Sequence, residues 1–161
     1  MAIDIFLKID GIAGESKDAH HKNWIDVRNV NWAATQPATL TSGGGGGAGK
    51  VNFHDLKVTA AIDKSAPTIL KHSANGRHIP KLEVSICKAG GEQVEYSRIT
   101  LEDVIVTAVE FVGSQENEVL MVNYSFQAVK VKKQYWEQTE RGGKGPETQM
   151  GYNIKENKVV G

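Results

Sequence analysis

The sequence is nearly free of cysteine: Cys87 is the only one among 161 residues. A lone cysteine cannot close an intrachain disulfide, so we expect the chain to fold in a reducing cytoplasm. The sequence also lacks an excess of either charge, because 19 Lys and Arg residues balance 19 Asp and Glu residues. Without a net field to attract polyanions, nucleic acids and anionic membranes are poor candidate partners.

Long hydrophobic runs are missing as well. No window approaches the ~18 to 20 apolar residues that a membrane-spanning helix requires. The opening residues 1–9 carry charges at Asp4 and Lys8, so they lack the apolar centre of a cleaved signal peptide. We therefore expect residues 1–161 to form a single domain that starts out in the cytoplasm and is not exported by a cleaved signal.

Alternation of apolar and polar residues is the main structural signal. Residues 2–9 alternate with the period of a strand that has one face on a core. In residues 25–32 the apolar side chains switch from odd to even positions at residues 28–29. Residues 51–58 show the same switch at residues 54–55, and β-bulges produce such switches. Because bulges bend strands, both slips indicate a sheet that curls into a barrel.

The rest of the chain predicts one helix and further strands. The helix is expected to begin near Ser65, with Pro67 in its first turn, and to end at Gly76. Strands are expected at residues 82–86, 94–101, 104–111 and 119–132, the first two joined as a hairpin by the turn at residues 89–92. This pattern predicts a mainly β fold, an antiparallel β-barrel with one short α-helix packed on its side.

A glycine-rich segment occupies the middle of the chain: six of the seven residues 43–49 are glycine, and Lys50 follows. The segment satisfies the phosphate-loop pattern G-x-x-x-x-G-K, but that loop needs Ser or Thr after the lysine and a helix next. Here Val51 follows, and the next residues alternate like a strand. We interpret the segment as a surface loop, or as an extension whose backbone amides pair with another subunit, rather than as a nucleotide site.

No group of residues predicts catalysis or metal binding. The histidines are His20, His21, His54, His72 and His78, and none has the spacing of a zinc site. We expect the adjacent His20 and His21 to be solvated loop residues. The carboxylates near the predicted hairpin, Glu92, Glu95, Glu102 and Asp103, are expected to be solvated or interface charges rather than a hydrolase pair. The prediction is a protein that is not an enzyme and has no cofactor.

Two surface features remain open to more than one interpretation. Trp24, Trp32 and Trp136 could line a sugar site on a monomeric binding module, although core or interface packing is commoner for tryptophan. Asn123, Ser125 and Gln127 form an uncharged polar face on one predicted strand. That face, with Asn31 as a further candidate, suits either the wall of a lumen or a wet subunit interface.

Several short motifs together resemble the haemolysin-coregulated protein (Hcp) family, the inner-tube subunits of the bacterial type VI secretion system. They are residues 1–9 with Gly14-Glu15-Ser16-Lys17-Asp18, residues 43–50 with Val51-Asn52, Ile62-Asp63-Lys64-Ser65-Ala66-Pro67, Lys88-Ala89-Gly90-Gly91, and Gly151-Tyr152-Asn153-Ile154. The resemblance covers nearly the whole chain. It departs at Asn31 and Trp32 and in the tail after Arg141.

This resemblance implies a β-barrel with a side helix that assembles into hexameric rings, which stack into a hollow tube like a phage tail tube. A contracting sheath would fire the tube, with its spike, into a neighbouring cell, so the subunit would be secreted without a signal peptide. Small effector proteins would travel in the ring lumen. The resemblance further implies that certain residues take part in the contacts between stacked rings: Gly43, Gly44, Gly45, Gly46, Gly47, Ala48, Gly49, Lys50, Ala89, Gly90, Gly91, Glu92 and Asn157. Of these, residues 43–50 would reach an adjacent ring, and residues 89–92 and Asn157 would lie towards opposite rims.

Overall fold

A computed structural model describes residues 2–38, 49–89 and 93–161 of the chain. The elements in these ranges are β1 (Ile3–Ile9), β2 (Ile25–Asn31), β3 (Ala34–Thr35), β4 (Asn52–Phe53), β5 (Leu56–Ala61), α1 (Ala66–Asn75), β6 (Ile79–Lys88), β7 (Val94–Val112), β8 (Met121–Gln138), β9 (Lys144–Asn153) and β10 (Lys158–Val159). The predicted mainly β fold with a single short helix is confirmed.

Six strands close into an antiparallel barrel in the order β8, β5, β2, β1, β6, β7, with β7 pairing back onto β8. The strand β8 is long enough to have two different partners along one edge. Its residues 121–126 pair with β5, and its residues 130–138 pair with β9. β9 and β10 therefore extend the sheet outside the barrel, while β3 and β4 form a separate two-stranded ribbon.

The barrel interior is filled by the apolar residues of the alternating strands. Its largest fully buried side chains are Leu7, Ile9, Ile25, Leu56, Val58, Ile69, Ile79, Leu82, Val84, Leu101, Tyr124 and Phe126. Each such side chain contributes about 1.5–3 kcal/mol when it leaves water. A core packed in this way fixes the register of every strand, because a slip of one residue would turn each apolar side chain outwards.

One of the two predicted bulges is present and the other is not. The register between β2 and β5 shifts between Val27 and Asn29, which confirms the bend in β2. At residues 54–55 the chain leaves one sheet for another instead. The His54 amide donates to the Ala33 carbonyl at 2.9 Å, so β4 belongs to the ribbon, and only β5 enters the barrel.

The helix α1 matches the sequence prediction. Pro67 lies in its first turn, and Gly76 ends it with a φ of 66°, in the left-handed region that glycine adopts without strain. Ile69 is fully buried, whereas the neighbouring Leu70 is exposed. The helix packs against β7, on the side of the barrel as predicted.

The two strands predicted at residues 94–101 and 104–111 are one continuous strand, β7. Asp103 has a φ of 55°, so the chain bends there without leaving the sheet. Pairing with β8 on both sides of Asp103 keeps the strand continuous. Apolar residues alternate on both faces of residues 104–111, which by itself indicates a strand buried on both sides. The end of this segment is not buried, since Phe111 is exposed.

Candidate assembly surfaces

The outer surfaces of β2, β5, β8 and β7 form one polar face, here called the polar wall. Strand register aligns its side chains in two rows: Asn29, Thr59, Asn123 and Glu110 in one, and Asn31, Lys57, Ser125 and Ala108 in the next. The face encloses a shallow depression of about 460 Å³. Thus three residues expected to share a face, Asn31, Asn123 and Ser125, line one surface.

The fourth predicted residue of that face, Gln127, lines a neighbouring cavity of about 380 Å³ together with Trp32 and Lys50. It is therefore adjacent to the polar wall rather than within its depression. Within the wall the side chains are tied together. The Thr59 hydroxyl donates to Asn123 Oδ1 at 2.7 Å, and Asn123 Nδ2 donates to Glu110 Oε1 at 2.8 Å. Hydrogen bonds that cross three strands hold this polar surface in one arrangement.

The polar wall has an unpaired strand edge on each side. Pairing of β1 with β2 covers residues 25–27, so residues 29–31 pair with β5 alone. Pairing of β6 with β7 ends at Val104, so residues 105–112 pair with β8 alone. In the part of the chain that the structure describes, both edges offer backbone groups that no other strand pairs, which is the usual template for adding a strand.

The residues predicted to form a ring-to-ring contact fall into three groups. Gly43, Gly44, Gly45, Gly46, Gly47, Ala48, Gly90, Gly91 and Glu92 lie outside the described residues. Gly49 stands at the foot of the glycine-rich segment, where its amide donates to the Pro37 carbonyl at 3.0 Å. Lys50 is followed by the strand β4 and not by a helix, so the surroundings of a phosphate loop are missing there.

Ala89 and Asn157 lie at different ends of β9. The Ala89 amide donates to the Ala2 carbonyl at 3.2 Å, and the adjacent Lys88 contacts Gln138 at the start of the β8–β9 hairpin. Asn157 follows the other end of β9, in the turn before β10, where its side chain accepts a hydrogen bond from Tyr152. Within one subunit these two predicted contact residues therefore lie apart.

A buried polar network links the loop after β1 to β6 and β7. His21 is only 6% exposed, which corrects the prediction of a solvated loop histidine. Its Nδ1 lies 2.7 Å from Asp18 Oδ2, and its Nε2 lies 3.1 Å from Ser85 Oγ. Ser85 in turn donates to Glu95 Oε2 at 2.5 Å. The ring of His21 stacks on Phe6, with centroids 4.1 Å apart.

Cations complete this network from the surface. Glu95 accepts hydrogen bonds from Arg98 Nε at 2.8 Å and from Lys144 Nζ at 3.1 Å, so it is a partly buried ion-pair residue and not a solvated charge. Burial opposes the ionisation of Glu95, but the hydrogen bond from Ser85 and the charge of Arg98 outweigh it, and the pKa of Glu95 is lowered. Glu95 therefore keeps its negative charge to a lower pH than an ordinary glutamate does.

The order Asp18, His21, Ser85 has the contacts of a hydrolase triad, but it cannot act as one. Ser85 is 0% exposed, and its hydroxyl already donates to Glu95, so no substrate reaches a free nucleophile. Burial also raises the pKa of the neighbouring Cys87 thiol, which keeps that group protonated and unreactive. The network is structural. In the sequence, only the three-residue spacing of Asp18 and His21 indicates a contact, because Ser85 and Glu95 lie far along the chain.

The three tryptophans pack against different partners. Trp32 stacks on Phe53, with ring centroids 5.9 Å apart, and Phe53 in turn contacts Tyr152 at the margin of the core. Trp24 meets the edge of His21, and Lys144 lies 3.6 Å from the ring centroid of Trp136. The three tryptophans therefore do not converge on one surface.

The described residues contain no group of three His, Cys, Asp or Glu side chains that could hold a metal ion. No helix in these ranges has the length and apolar character needed to cross a bilayer. What remains is a small closed β-barrel whose distinctive features are a polar wall and the two open sheet edges beside it.

Comparison with known proteins agrees with this architecture. A family model described as type VI secretion system effector, Hcp, matches residues 6–135. The chain therefore belongs to the Hcp family of type VI secretion proteins. Protein hcp1 of Pseudomonas aeruginosa is 43% identical to it over 159 residues, which cover 98% of each chain.

Solved structures of this family share the fold over their full length. A structure described as a type six secretion system protein superposes with a TM-score of 0.93 at 27% identity, covering 99% of this chain and 100% of that one. Hcp1 from Salmonella typhimurium superposes with a TM-score of 0.79 at 34% identity, again covering 99% and 100%. The resemblance stated from the sequence motifs is thus confirmed at the level of family and fold.

Proposed function

We propose that this chain is a structural subunit of the type VI inner tube, in which six copies form a ring and rings stack into a hollow cylinder. Family membership supports a role in type VI secretion. The observation that carries the ring is the pair of open strand edges, residues 29–31 and residues 105–112, on opposite sides of one four-stranded wall. Such a subunit needs no catalytic residue.

The strand directions suit closure into a ring. Neighbours in the wall β2, β5, β8, β7 are all antiparallel, so its two outer strands run in opposite directions. When copies are related by rotation about an axis along the strands, β7 of one copy meets β2 of the next in antiparallel orientation. The contact is heterologous, and rotation closes it into a ring instead of an open filament.

The expected dimensions agree with a transport channel. Six copies of four strands, spaced about 4.8 Å apart, would make a wall roughly 37 Å across between backbone atoms, and more if the strands tilt. The polar wall then faces either the inside or the outside of this cylinder. The barrel core lies behind the other face of the same strands, and six barrels fit around a cylinder of this size but not within it. We therefore assign the polar wall to the inside. Asn31, Asn123 and Ser125 would line the lumen, with Gln127 near its rim.

A lumen with mostly uncharged polar side chains would let small effector proteins pass without strong retention. The subunit would begin in the bacterial cytoplasm, assemble with sheath and spike proteins, and leave the cell when the sheath contracts. The glycine-rich segment, Gly90, Gly91 and Asn157 would take part in stacking, since glycine allows close approach of backbones. A monomeric sugar-binding module is the weaker alternative, because its three tryptophans lie in separate environments.

Hydrogen exchange tests the proposed edges, with a matched control in the same chain. In purified rings, amides of β7 residues 105–112 that point away from β8 should exchange much more slowly than in dissociated subunits. Residues 145–150 of β9 also have an outer edge that no described strand pairs with, since β10 pairs only at residues 152–153. The amides of these residues that point away from β8 serve as the control and should exchange rapidly in both states.

Electron micrographs of the same sample supply the second readout. Absence of rings at high protein concentration would contradict the proposed function itself. Rings in which residues 105–112 exchange as fast as residues 145–150 would keep the function but move the lateral contact away from these strand edges.

A further inference from the structure

The segment between β1 and β2, residues 11–24, lies against the outside of the barrel, and we call it the strap. Phe6 of β1, Ser85 of β6 and Arg98 of β7 are register partners. They share the face of the sheet that points away from the barrel core. Phe6 is nevertheless 5% exposed and Ser85 0% exposed, because His21 of the strap stacks on the first and contacts the second. The strap is therefore a lid over a polar site on the outside of the barrel.

Three short contacts run in series through His21. Its Nδ1 lies 2.7 Å from Asp18 Oδ2, its Nε2 lies 3.1 Å from Ser85 Oγ, and Ser85 Oγ lies 2.5 Å from Glu95 Oε2. Each hydrogen bond needs one proton between its two heavy atoms, so the series needs three protons. Ser85 supplies one of them from its hydroxyl group.

Neither carboxylate in the series supplies a proton. Glu95 Oε2 also accepts a hydrogen bond from Arg98 Nε at 2.8 Å, and Asp18 Oδ2 also accepts one from the His20 amide at 3.2 Å. Burial opposes the ionisation of Asp18, but its hydrogen bonds from His21 and from the His20 amide outweigh it, and the pKa of Asp18 is lowered. Both side chains are thus carboxylates that only accept.

The two remaining protons must come from His21. Its ring then carries a hydrogen on each nitrogen, which is the imidazolium cation. Phe6 lies parallel to this ring, with an interplanar angle of 6°, and an aromatic face attracts a cation. Together with the Asp18 carboxylate, this stacking compensates for the burial of the charge.

Charged and titratable groups face His21 from every neighbouring strand. They are Asp4 and Lys8 of β1, Cys87 of β6, Glu95 and Arg98 of β7, and Lys144 of β9, which contacts Glu95.

The thiol of Cys87 adds no charge to this cluster. Its Sγ lies 4.0 Å from His21 Nε2, and burial raises the pKa of the thiol. Lys8 and Arg98 are separated from His21 by the ring of Trp24, whose centroid lies 5.9 Å from each cation. The Asp18 carboxylate is therefore the charged group in direct contact with the His21 ring.

The strap is built to move as a unit. Its two limbs are bonded to each other, since the Gly14 amide donates to the Asn23 carbonyl at 2.7 Å. Another tether, from the Lys64 amide to Glu15 Oε2 at 2.7 Å, is exposed to water, where a hydrogen bond contributes little. The buried contacts of His21 are thus the main attachment of the strap to the sheet.

We infer that the His21 imidazolium is the latch of the strap, and that the strap opens when rising pH removes one of its protons. A neutral ring leaves two protons for three contacts, so one contact sets two acceptors against each other in a buried site. If Ser85 turned its hydroxyl towards His21, Glu95 would lose its bond instead. An unpaired buried acceptor is costly enough to raise the open fraction roughly tenfold or more.

The protonation of His21 can be observed directly by solid-state NMR of the full-length chain labelled with nitrogen-15 histidine. His21→Gln and His20→Gln assign the two signals by their loss. At about pH 7.5, where an exposed histidine is mostly neutral, His21 should carry a hydrogen on both ring nitrogens and the exposed His20 on one. A His21 ring with a single N–H at this pH would overturn the inference.

Labelling of Cys87 reports the opening of the strap. It is the only cysteine of the chain, it is 1% exposed, and it lies beside His21. The rate of labelling by iodoacetamide in the urea-unfolded chain, divided by the rate in the folded chain at the same pH, gives a protection factor. This ratio removes the pH dependence of the thiol itself. Protection should fall roughly tenfold or more between about pH 7 and pH 9.

Two variants complete the labelling experiment. His20→Gln should follow the parent chain at both pH values, whereas His21→Gln should be weakly protected at both. Constant protection of the parent across this range, or full protection of His21→Gln, would contradict a latch at His21. If circular dichroism shows that His21→Gln has lost the fold, the protection factor and the ring-nitrogen signals of the parent decide the question.

Discussion

Ser85 Oγ lies 3.1 Å from His21 Nε2, although 64 residues separate the two in the chain. This contact joins the loop after β1 to the middle of β6. The loop is also held by its backbone, since the Gly14 amide donates to the Asn23 carbonyl at 2.7 Å and the Ser16 amide to the Trp24 carbonyl at 2.9 Å. The Gly14 to Asp18 motif therefore positions a buried histidine and not an active site.

Replacing His21 tests this role. His21→Ala should lower the free energy of unfolding by about 2–4 kcal/mol, because it leaves a cavity against Phe6 and removes a hydrogen-bond partner from buried Ser85. Urea unfolding at one fixed protein concentration measures the change. The adjacent, exposed His20 is the matched control, and His20→Ala should stay within about 0.5 kcal/mol of the parent. Equal effects of the two substitutions would contradict a structural role for His21.

The lowered pKa of Glu95 predicts a pH dependence of stability. A carboxylate whose pKa is lower in the folded than in the unfolded chain stabilises the fold above its ordinary pKa of 4.5. That stabilisation is lost as the pH falls through the folded-state value. Glu95→Gln should therefore be less stable than the parent near pH 7, and the gap in urea midpoint should close as the pH is lowered.

The control for this prediction is the exposed Glu118. Glu118→Gln should follow the parent curve at every pH, since its side chain has no ion-pair partner among the described residues. A gap for Glu95→Gln that remains constant from neutral to acid pH would show that the ion pairs with Arg98 and Lys144 do not govern stability.

If the polar wall lines the lumen, a substitution in it should affect the passage of effectors and not the assembly of rings. Ser125→Asp adds negative charge to the wall without disturbing the Asn123 hydrogen bonds, so rings should form normally by light scattering. Export of effectors should change in a competition assay while export of the subunit itself continues. Loss of rings would instead assign the wall to the contact between subunits.

If the glycine-rich segment acts in stacking, its removal should affect stacked rings and not single rings. Deleting Gly44, Gly45, Gly46 and Gly47 should leave single rings intact and weaken stacking and secretion, because the six strands that close the barrel lie in other parts of the chain. Micrographs of the deletion variant distinguish single from stacked rings. Collapse of the single ring would show that the segment belongs to the lateral contact.

Much of the barrel was predictable because its strands follow local rules. The alternation of residues 2–9 predicted β1, the phase slip at residues 28–29 predicted the bulge in β2, and Gly76 marked the end of α1. These features depend on side chains that are near each other in sequence. The short ribbon of β3 and β4 escaped notice, because two-residue strands carry no periodicity.

Features that depend on distant contacts were not predictable. Asp103 interrupted the apolar pattern, and only pairing with both β6 and β8 shows that β7 continues through it. β9 lacks alternation and contains Pro146, so nothing local predicted it. The burial of His21 depends on Ser85 and Phe6, which no spacing rule connects to it. The open edges of the wall appear only when strand registers are known.

The mass of the assembled protein tests the central claim most directly. Native mass spectrometry of the purified full-length chain should give a species of six subunits, each of 17.5 kDa, and multiples of six at higher concentration. A single subunit that persists at every concentration would contradict the account, because strand edges built to join neighbouring copies would then have no partner.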